Sequence, residues 1–215
     1  TSSVTNTGGM FLEATSFNGD VSNFNTSSIT HMNGMFRGAS SFNGDVSNFD
    51  TSSVTNMAAM FQGASSFNID LSNFNTSSVT NMEYMFEEAT LFNGDLSNFD
   101  TSSVTRMAYM FASASSFNQD LCSWQDTFPY TAYTTGIFTD SGCTYQDTPN
   151  ESQNGPFCAS DCQSSQVVSH AISYSPLFIF ISVVEPNWGS SNSRLYFTTR
   201  LFPTLFSGCS SSSFP

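Results

Sequence analysis

Five aspartates recur at one place in this chain, 25 residues apart, and each follows an asparagine by two residues. In stacked repeats they would lie about 4.8 Å apart, where like carboxylates repel each other. Either each aspartate accepts a backbone N–H within its own turn, or aspartates and asparagines together bind Ca²⁺, which prefers oxygen ligands. We favour the turn, because no calcium-loop spacing is present. The two sets are Asp20, Asp45, Asp70, Asp95 and Asp120, and Asn18, Asn43, Asn68, Asn93 and Asn118.

The cysteines are concentrated in the second half of the chain. Cys122 replaces a serine found at the equivalent place in four earlier repeats, and Cys143, Cys158, Cys162 and Cys209 follow it. Such a cluster after a Cys-free array predicts a disulfide-stapled cap formed in an oxidising compartment. Four cysteines allow three pairings. We favour Cys122 with Cys143 and Cys158 with Cys162, which leaves Cys209 unpaired.

Three Asn-X-Ser/Thr sequons begin at Asn25, Asn75 and Asn150. Asp50 and Asp100 stand at the place of the first two in alternate repeats, which indicates a polar, outward-facing position. If the protein passes through a eukaryotic secretory pathway, these asparagines are candidate N-glycosylation sites.

No pattern for catalysis is visible. The two histidines, His31 and His170, lie far apart, and there is no nucleophile elbow, phosphate-binding loop or HExxH motif. The Cys158–Cys162 spacing suits a metal ligand pair, but no second Cys/His pair completes a site. The sequence therefore predicts no enzyme, no cofactor and no metal beyond the calcium alternative.

The charge balance restricts the partners. The chain has four basic and 17 acidic residues, a formal net charge of -13. Nucleic acid and anionic membrane surfaces are therefore disfavoured, because both require a Lys/Arg footprint.

A strict 25-residue repeat must position all of these residues. Thr-Ser-Ser opens a repeat at residues 1, 26, 51, 76 and 101, and a Met-Phe pair follows in each. Such a period predicts a solenoid of stacked units. In the fourth unit, Met82, Met85, Phe86 and Ala89 have the spacing of one helix face. Thr80 is placed as the N-cap of that helix, and Thr5, Thr30, Thr55 and Thr105 are its equivalents.

A short extended segment over residues 96–99 completes the predicted unit and would pair with its counterparts as a parallel sheet. The predicted core of the fourth unit is Val79, Met82, Met85, Phe86, Ala89, Phe92, Leu96 and Phe99. The phenylalanines equivalent to Phe92 are expected to stack as a spine. The predicted fold class is thus an α/β solenoid, a leucine-rich-repeat-like stack of short helices and short parallel strands with a Cys-containing C-terminal cap.

The unit pattern MFxxAxxFNxDLSxFDTSxVTxM resembles the BspA-like leucine-rich-repeat family of surface proteins, also described as the mycoplasma lipoprotein-associated repeat. The Trp usual in that family is Phe in four units and Trp only at Trp124. The segment Phe138–Cys162 is similar to the end of the array in algal, especially diatom, members. The resemblance implies an extracellular or cell-surface protein with a leucine-rich-repeat-like fold that binds or adheres rather than catalyses.

Three regions follow from these patterns. We expect a five-repeat solenoid over 1–125, a degenerate sixth repeat and disulfide cap over 126–165, and an irregular tail over 166–215 that is either strand-forming or disordered. Ile137-Phe138 stands two residues beyond the place where a sixth Met-Phe pair belongs.

Three functions are compatible with this organisation. The leading prediction is a non-catalytic extracellular or cell-surface adhesion module that binds a protein or glycan. The alternative is a structural component of a cell wall, sheath or filament, since open repeat ends can stack head to tail. The third is ice or mineral-surface binding by two threonine rows, the one that opens each repeat and the one that contains Thr80.

Overall fold

The computed structural model describes residues 4–153 and 155–162, all within one compact unit, Thr1–Gln166. In it, the 25-residue repeats stack directly on one another. The backbone N–H of Phe11 donates to the carbonyl of Met35 at 2.8 Å, and Phe36 donates to Met60 at 2.9 Å. The same bond joins Phe61 to Met85 at 2.9 Å. Each repeat is therefore hydrogen-bonded to the next through equivalent atoms.

The predicted α/β solenoid is wrong. Over the described residues there is no α-helix and no multi-residue strand; three single 3₁₀ turns occur, at Cys122–Trp124, Ala132–Thr134 and Glu151–Gln153. The β-pairing between successive repeats consists of isolated parallel bridges. These bridges join Asn6 to His31, His31 to Asn56, Asn56 to Asn81, and Asn81 to Arg106.

Consecutive turns replace the predicted helix. In the second repeat, Met35 donates to Met32 at 3.2 Å and Ala39 donates to Phe36 at 3.0 Å, whereas the intervening Phe36 N–H donates to the next repeat. Gly34 and Gly38 have left-handed φ values of 62° and 70°. An α-helix cannot form because every second N–H leaves the segment and two residues are left-handed. The spacing of Met and Phe misled the prediction because these turns also place those side chains on one face.

The predicted caps and strands are also wrong. Thr80 Oγ1 donates to the carbonyl of Thr55 at 3.1 Å, so it links two repeats rather than capping a helix. The segment over residues 96–99 is a turn closed by a 3.0 Å bond from the Phe99 N–H to the Leu96 carbonyl. Short polar side chains serve both caps and repeat-to-repeat bonds, and residue type does not distinguish the two uses.

The predicted core is confirmed. All eight core side chains of the fourth repeat are at most 4% exposed. The expected phenylalanine spine is present: Phe67 stacks on Phe42 at 6.0 Å and on Phe92 at 5.9 Å between ring centroids. A second column runs beside it, and Phe61 of that column lies 4.0 Å from Phe67. Phenylalanine buries a large apolar area, so this double column is the main apolar support of the stack.

The cap continues the stack as a sixth layer. Phe111 donates to the carbonyl of Ile137 at 2.9 Å, and its ring stacks on Phe138 at 5.8 Å. This layer places Ile137-Phe138 where a Met-Phe pair lies in the other repeats, as the sequence predicts.

Two disulfides close the cap, and the favoured pairing is wrong. The bonds join Cys122 to Cys162 and Cys143 to Cys158, with Cα–Cα distances of 5.3 and 4.6 Å. The chain folds back so that Cys158 forms antiparallel bridges with Asp120 and Tyr145, which brings it beside Cys143. This return path depends on tertiary packing, so the spacing of the cysteines does not reveal it.

The predicted tail over 166–215, with His170 and Cys209, lies outside the described residues. Within the described ranges, no helix has the length and apolar character needed to cross a membrane.

Candidate functional site

The repeat-opening threonines of the second to fifth repeats are buried. Thr51 is 1% exposed; its Oγ1 donates to the Asn75 carbonyl at 3.0 Å and accepts the Asn75 N–H at 2.8 Å. Thr26, Thr76 and Thr101 are also buried. In the second row, Thr30, Thr55 and Thr105 donate to carbonyls of the preceding repeat, as Thr80 does. The first row therefore presents no hydroxyl array to a crystal surface, and the hydroxyls of the second row are engaged in bonds between repeats.

A row of asparagines joins successive repeats by hydrogen bonds. The backbone N–H of Asn68 donates to Asn43 Oδ1 at 2.9 Å, and the N–H of Asn93 donates to Asn68 Oδ1 at 3.0 Å. Thr144 of the cap donates to Asn118 Oδ1 in the same way. The signal for this role in the sequence is an asparagine at the same place in all five repeats.

The aspartate row adopts the favoured turn arrangement, which is confirmed. Asp45 Oδ1 accepts the Ser47 N–H at 2.8 Å, and that hydrogen bond lowers the pKa of Asp45. Asp20, Asp70, Asp95 and Asp120 accept the equivalent N–H.

The calcium alternative gains no support from the geometry. Among the described residues, the group of three metal-ligand side chains that lie within reach of each other is Asp120 with Cys122 and Cys162. The two sulfurs of that group are bonded to each other. The five aspartates are thus not gathered around a common point.

All three sequon asparagines are exposed and have one local geometry. Asn75 Oδ1 accepts the N–H of Ser77 at 3.1 Å and its hydroxyl at 2.7 Å. Asn25 and Asn150 accept the same two bonds from their serines. The side-chain nitrogen, to which a glycan would be attached, takes no part in these bonds. Glycosylation stays a prediction.

Many of the residues that differ between repeats lie together on one surface, which we name the variable face. It consists of the sixth, eighth, ninth, twelfth and thirteenth residues of each 25-residue repeat. Direct contacts join these residues across repeat boundaries, as between Gln62 Nε2 and Glu87 Oε2. In the five repeats they are Asn6, Gly8, Gly9, Leu12, Glu13; His31, Asn33, Gly34, Arg37, Gly38; Asn56, Ala58, Ala59, Gln62, Gly63; Asn81, Glu83, Tyr84, Glu87, Glu88; and Arg106, Ala108, Tyr109, Ala112, Ser113.

Over the first three repeats the variable face forms a shallow groove of about 370 Å³. The side chains on the floor of this groove are small, because glycine or alanine occupies most of the central places, including Gly9, Gly34 and Ala59. Arg37 and Asn33 supply polar groups along it. His31, one of the two histidines noted in the sequence, lies on the same face, and its Nδ1 is 2.9 Å from Thr30 Oγ1.

Over the fourth and fifth repeats the variable face becomes an aromatic ridge. The rings of Tyr84 and Tyr109 are stacked with centroids 5.6 Å apart and planes within 7°. Arg106 bonds Glu83 at 2.8 Å, and its guanidinium carbon lies 5.2 Å from the ring centroid of Tyr133 in the cap. Tyrosine and arginine are, with tryptophan, the residue types enriched at the energetic centres of protein interfaces.

Two carboxylates stand beside this ridge. Burial raises the pKa of Glu87, the bond from Gln62 opposes that shift, and the charge of neighbouring Glu88 adds to it. The Glu87 N–H donates to the Tyr84 carbonyl at 3.2 Å, so carboxylates and rings belong to one turn.

Comparison with known families gives one match. The family model described as "Mycoplasma protein of unknown function, DUF285" matches residues 1–89 and 67–142. No curated protein and no solved structure matches the chain. The matched ranges together cover residues 1–142 of the 215, including the five repeats and the start of the cap. The chain therefore belongs to this mycoplasma repeat family, the BspA-like repeat family that its unit pattern resembles.

Proposed function

We propose that this protein is a non-catalytic, extracellular or cell-surface binding module, and that its ligand contacts the variable face. One observation carries the proposal: substitutions between repeats are concentrated on one surface, whereas the constant threonines, asparagines and aspartates bond within the stack. A residue that the fold does not fix is free to be selected for recognition, and repeat proteins commonly use such extended surfaces for binding.

The cap supports the proposed location. Two disulfides, Cys122–Cys162 and Cys143–Cys158, suit an oxidising compartment. The similarity of Phe138–Cys162 to algal, especially diatom, members supports placing the chain in that branch of the family. The ligand class that we propose is an extracellular protein or a glycan.

The test uses beads coated with the full chain and a panel of extracellular-matrix proteins and glycans. The variant Y84A/R106N/Y109A gives the ridge the residues of the third repeat, Ala59 and Asn56, so it changes the face while keeping a sequence that the stack already accepts. We expect it to lose bead binding by about tenfold or more.

The control is N73S/N98S, which copies Ser123 of the fifth repeat at an exposed place off the variable face. It should bind as the unchanged protein does. Equal binding by the ridge variant and the control would contradict the proposal.

A structural role is a second candidate, favoured by the hydrogen bonds that join each repeat to the next through equivalent atoms. A repeat surface that pairs with its own copy can also join one chain to another, and contacts of this kind that do not close generate fibres. Light scattering over a concentration series tests it: growing particles support a filament component, and a constant monomer mass contradicts it.

A further inference from the structure

Two tyrosines occupy backbone conformations that other repeats fill with glycine. Tyr84 and Tyr109 have φ values of 59° and 57°, and the equivalent Gly9 and Gly34 have 65° and 62°. A bulky L-residue is strained in this left-handed region, whereas glycine is not. The backbone of the stack therefore accepts glycine here and does not require tyrosine.

Tyr84 is half-buried, and two tyrosines beside it present their side chains at the surface. Tyr109 is 37% exposed, and Tyr133 of the cap, which lies under Arg106, is 56% exposed. Tyrosine offers a large, rigid contact area with a hydroxyl at its end, which suits the centre of a protein interface. The Tyr84–Tyr109 pair is thus a candidate anchor rather than a core element.

The charge around this pair is negative. Arg106 is already bonded to Glu83, so its positive charge is offset locally. Glu88 is exposed, and Glu87 is half-buried, with Gln62 as its hydrogen-bond partner and the charge of Arg37 acting on it. A cationic side chain would pair with these carboxylates and would also be attracted to the adjoining aromatic rings. The net charge of -13 on the whole chain favours the approach of such a partner.

We infer that the Tyr84–Tyr109 ridge, with Glu87 and Glu88 beside it, is a docking site for a lysine- or arginine-bearing segment of a partner protein. This inference rests on the proposed function, in which the variable face binds the ligand, and it names the chemistry of the partner.

The probe is a fluorescent peptide of alternating Gly and Lys, compared with its Gly-Glu counterpart by fluorescence anisotropy against the full chain at physiological salt. We expect the lysine peptide to bind at least about tenfold tighter. Y84G/Y109G and E87Q/E88Q should each weaken that binding by about tenfold. The melting temperature of Y84G/Y109G should not fall, because glycine relieves the backbone strain.

The matched control is D126N/D147N, which removes the same number of negative charges from exposed places in the cap. It should weaken binding less than threefold, since salt screens distant charges. If it weakens binding as much as E87Q/E88Q does, the attraction is general and the inference is wrong. If Y84G/Y109G melts at a markedly lower temperature and still binds the peptide, the tyrosines are structural and the inference is also wrong.

A third arm separates this inference from the proposed function. If a neutral oligosaccharide binds the unchanged chain and not Y84G/Y109G, while the lysine peptide does not bind, the cationic partner is excluded and the variable face remains a binding surface. If Y84A/R106N/Y109A retains all bead binding, the proposed function itself fails.

Discussion

The side-chain oxygen of Asn68 accepts the backbone N–H of Asn93 at 3.0 Å, across the boundary between two repeats. The same bond recurs at each repeat boundary of the row. At this place, therefore, a side-chain oxygen accepts the inter-repeat hydrogen bond that a backbone carbonyl accepts in a sheet. We expect Asn68→Ala to lower the free energy of unfolding by about 0.5–1.5 kcal/mol, the usual net value of one hydrogen bond.

The matched variant for this bond is Asn68→Asp, which keeps an oxygen acceptor at the same atom. Urea unfolding of both variants at neutral pH measures the difference. If Asn68→Asp destabilises the chain as much as Asn68→Ala does, the acceptor oxygen is not what stabilises this boundary.

The double phenylalanine column makes the centre of the stack sensitive to truncation. Phe67 is fully buried and stacks on Phe42, Phe61 and Phe92. We expect Phe67→Ala to cost about 3–5 kcal/mol, because it removes the ring and leaves a cavity. Phe17→Ala, in the first repeat where the ring is only half-buried, should cost less; equal losses in chemical denaturation would contradict the assigned core.

The ninth residue of every repeat has a left-handed φ, and this allows a reciprocal pair of mutations. Ala59 has a φ of 56° at the place where Gly34 has 62°. Ala59→Gly should raise the free energy of unfolding by about 1 kcal/mol because it removes steric strain. Gly34→Ala should lower it by a similar amount, since the nearest atom to the added Cβ is Arg37 Cβ at 3.8 Å and space is not limiting. Thermal melts of both variants test the pair, and shifts of the same sign would contradict the strain.

The Asx turns predict a loss of stability in acid. The hydroxyl and N–H of Ser52 hold the pKa of Asp50 below its usual range, and those of Ser102 do the same for Asp100. Because the folded-state pKa is below the unfolded one, this stabilisation is present above the unfolded pKa. It is lost as the pH falls through the folded pKa.

The variant D50N/D100N isolates this effect. Asn25 and Asn75 already occupy the equivalent place, so asparagine is accepted there. Its melting temperature should fall less steeply between pH 5 and pH 3 than that of the unchanged chain (about one unit on either side of the ordinary Asp pKa). Parallel curves for the two proteins would show that these aspartates do not contribute.

The repeat period was sufficient to predict the core. An apolar residue at the same place in every repeat, such as Phe67 or Met85, must stack on its equivalents, and this holds whatever local conformation the chain adopts. The local conformation was not predictable in the same way. Helical spacing is also met by the consecutive turns that the chain forms, and Gly34 and Gly38 signal left-handed residues rather than a weak helix.

The site was predictable only in part. The turn role of Asp45 follows from its place directly after Gly44 and two residues before Ser47, and the exposed sequon position of Asn75 follows from its alternation with aspartate. The cysteine pairing depends on how residues 143–162 return to the fifth repeat, which no local pattern encodes. The Tyr84–Tyr109 ridge has a sequence signal, since tyrosine replaces glycine at one repeat position, but its meaning depends on the backbone angle there.

Hydroxyl-radical footprinting of the chain bound to the matrix protein or glycan that the coated beads retain tests the variable face most directly. Tyr109 and Tyr145 are both 37% exposed, and only Tyr109 lies on that face, so the two tyrosines form an internal control. We predict that binding lowers oxidation of Tyr109 and of the neighbouring Tyr133 severalfold and leaves Tyr145 unchanged. Protection of Tyr145 with Tyr109 still oxidised at its free rate would contradict binding through the variable face.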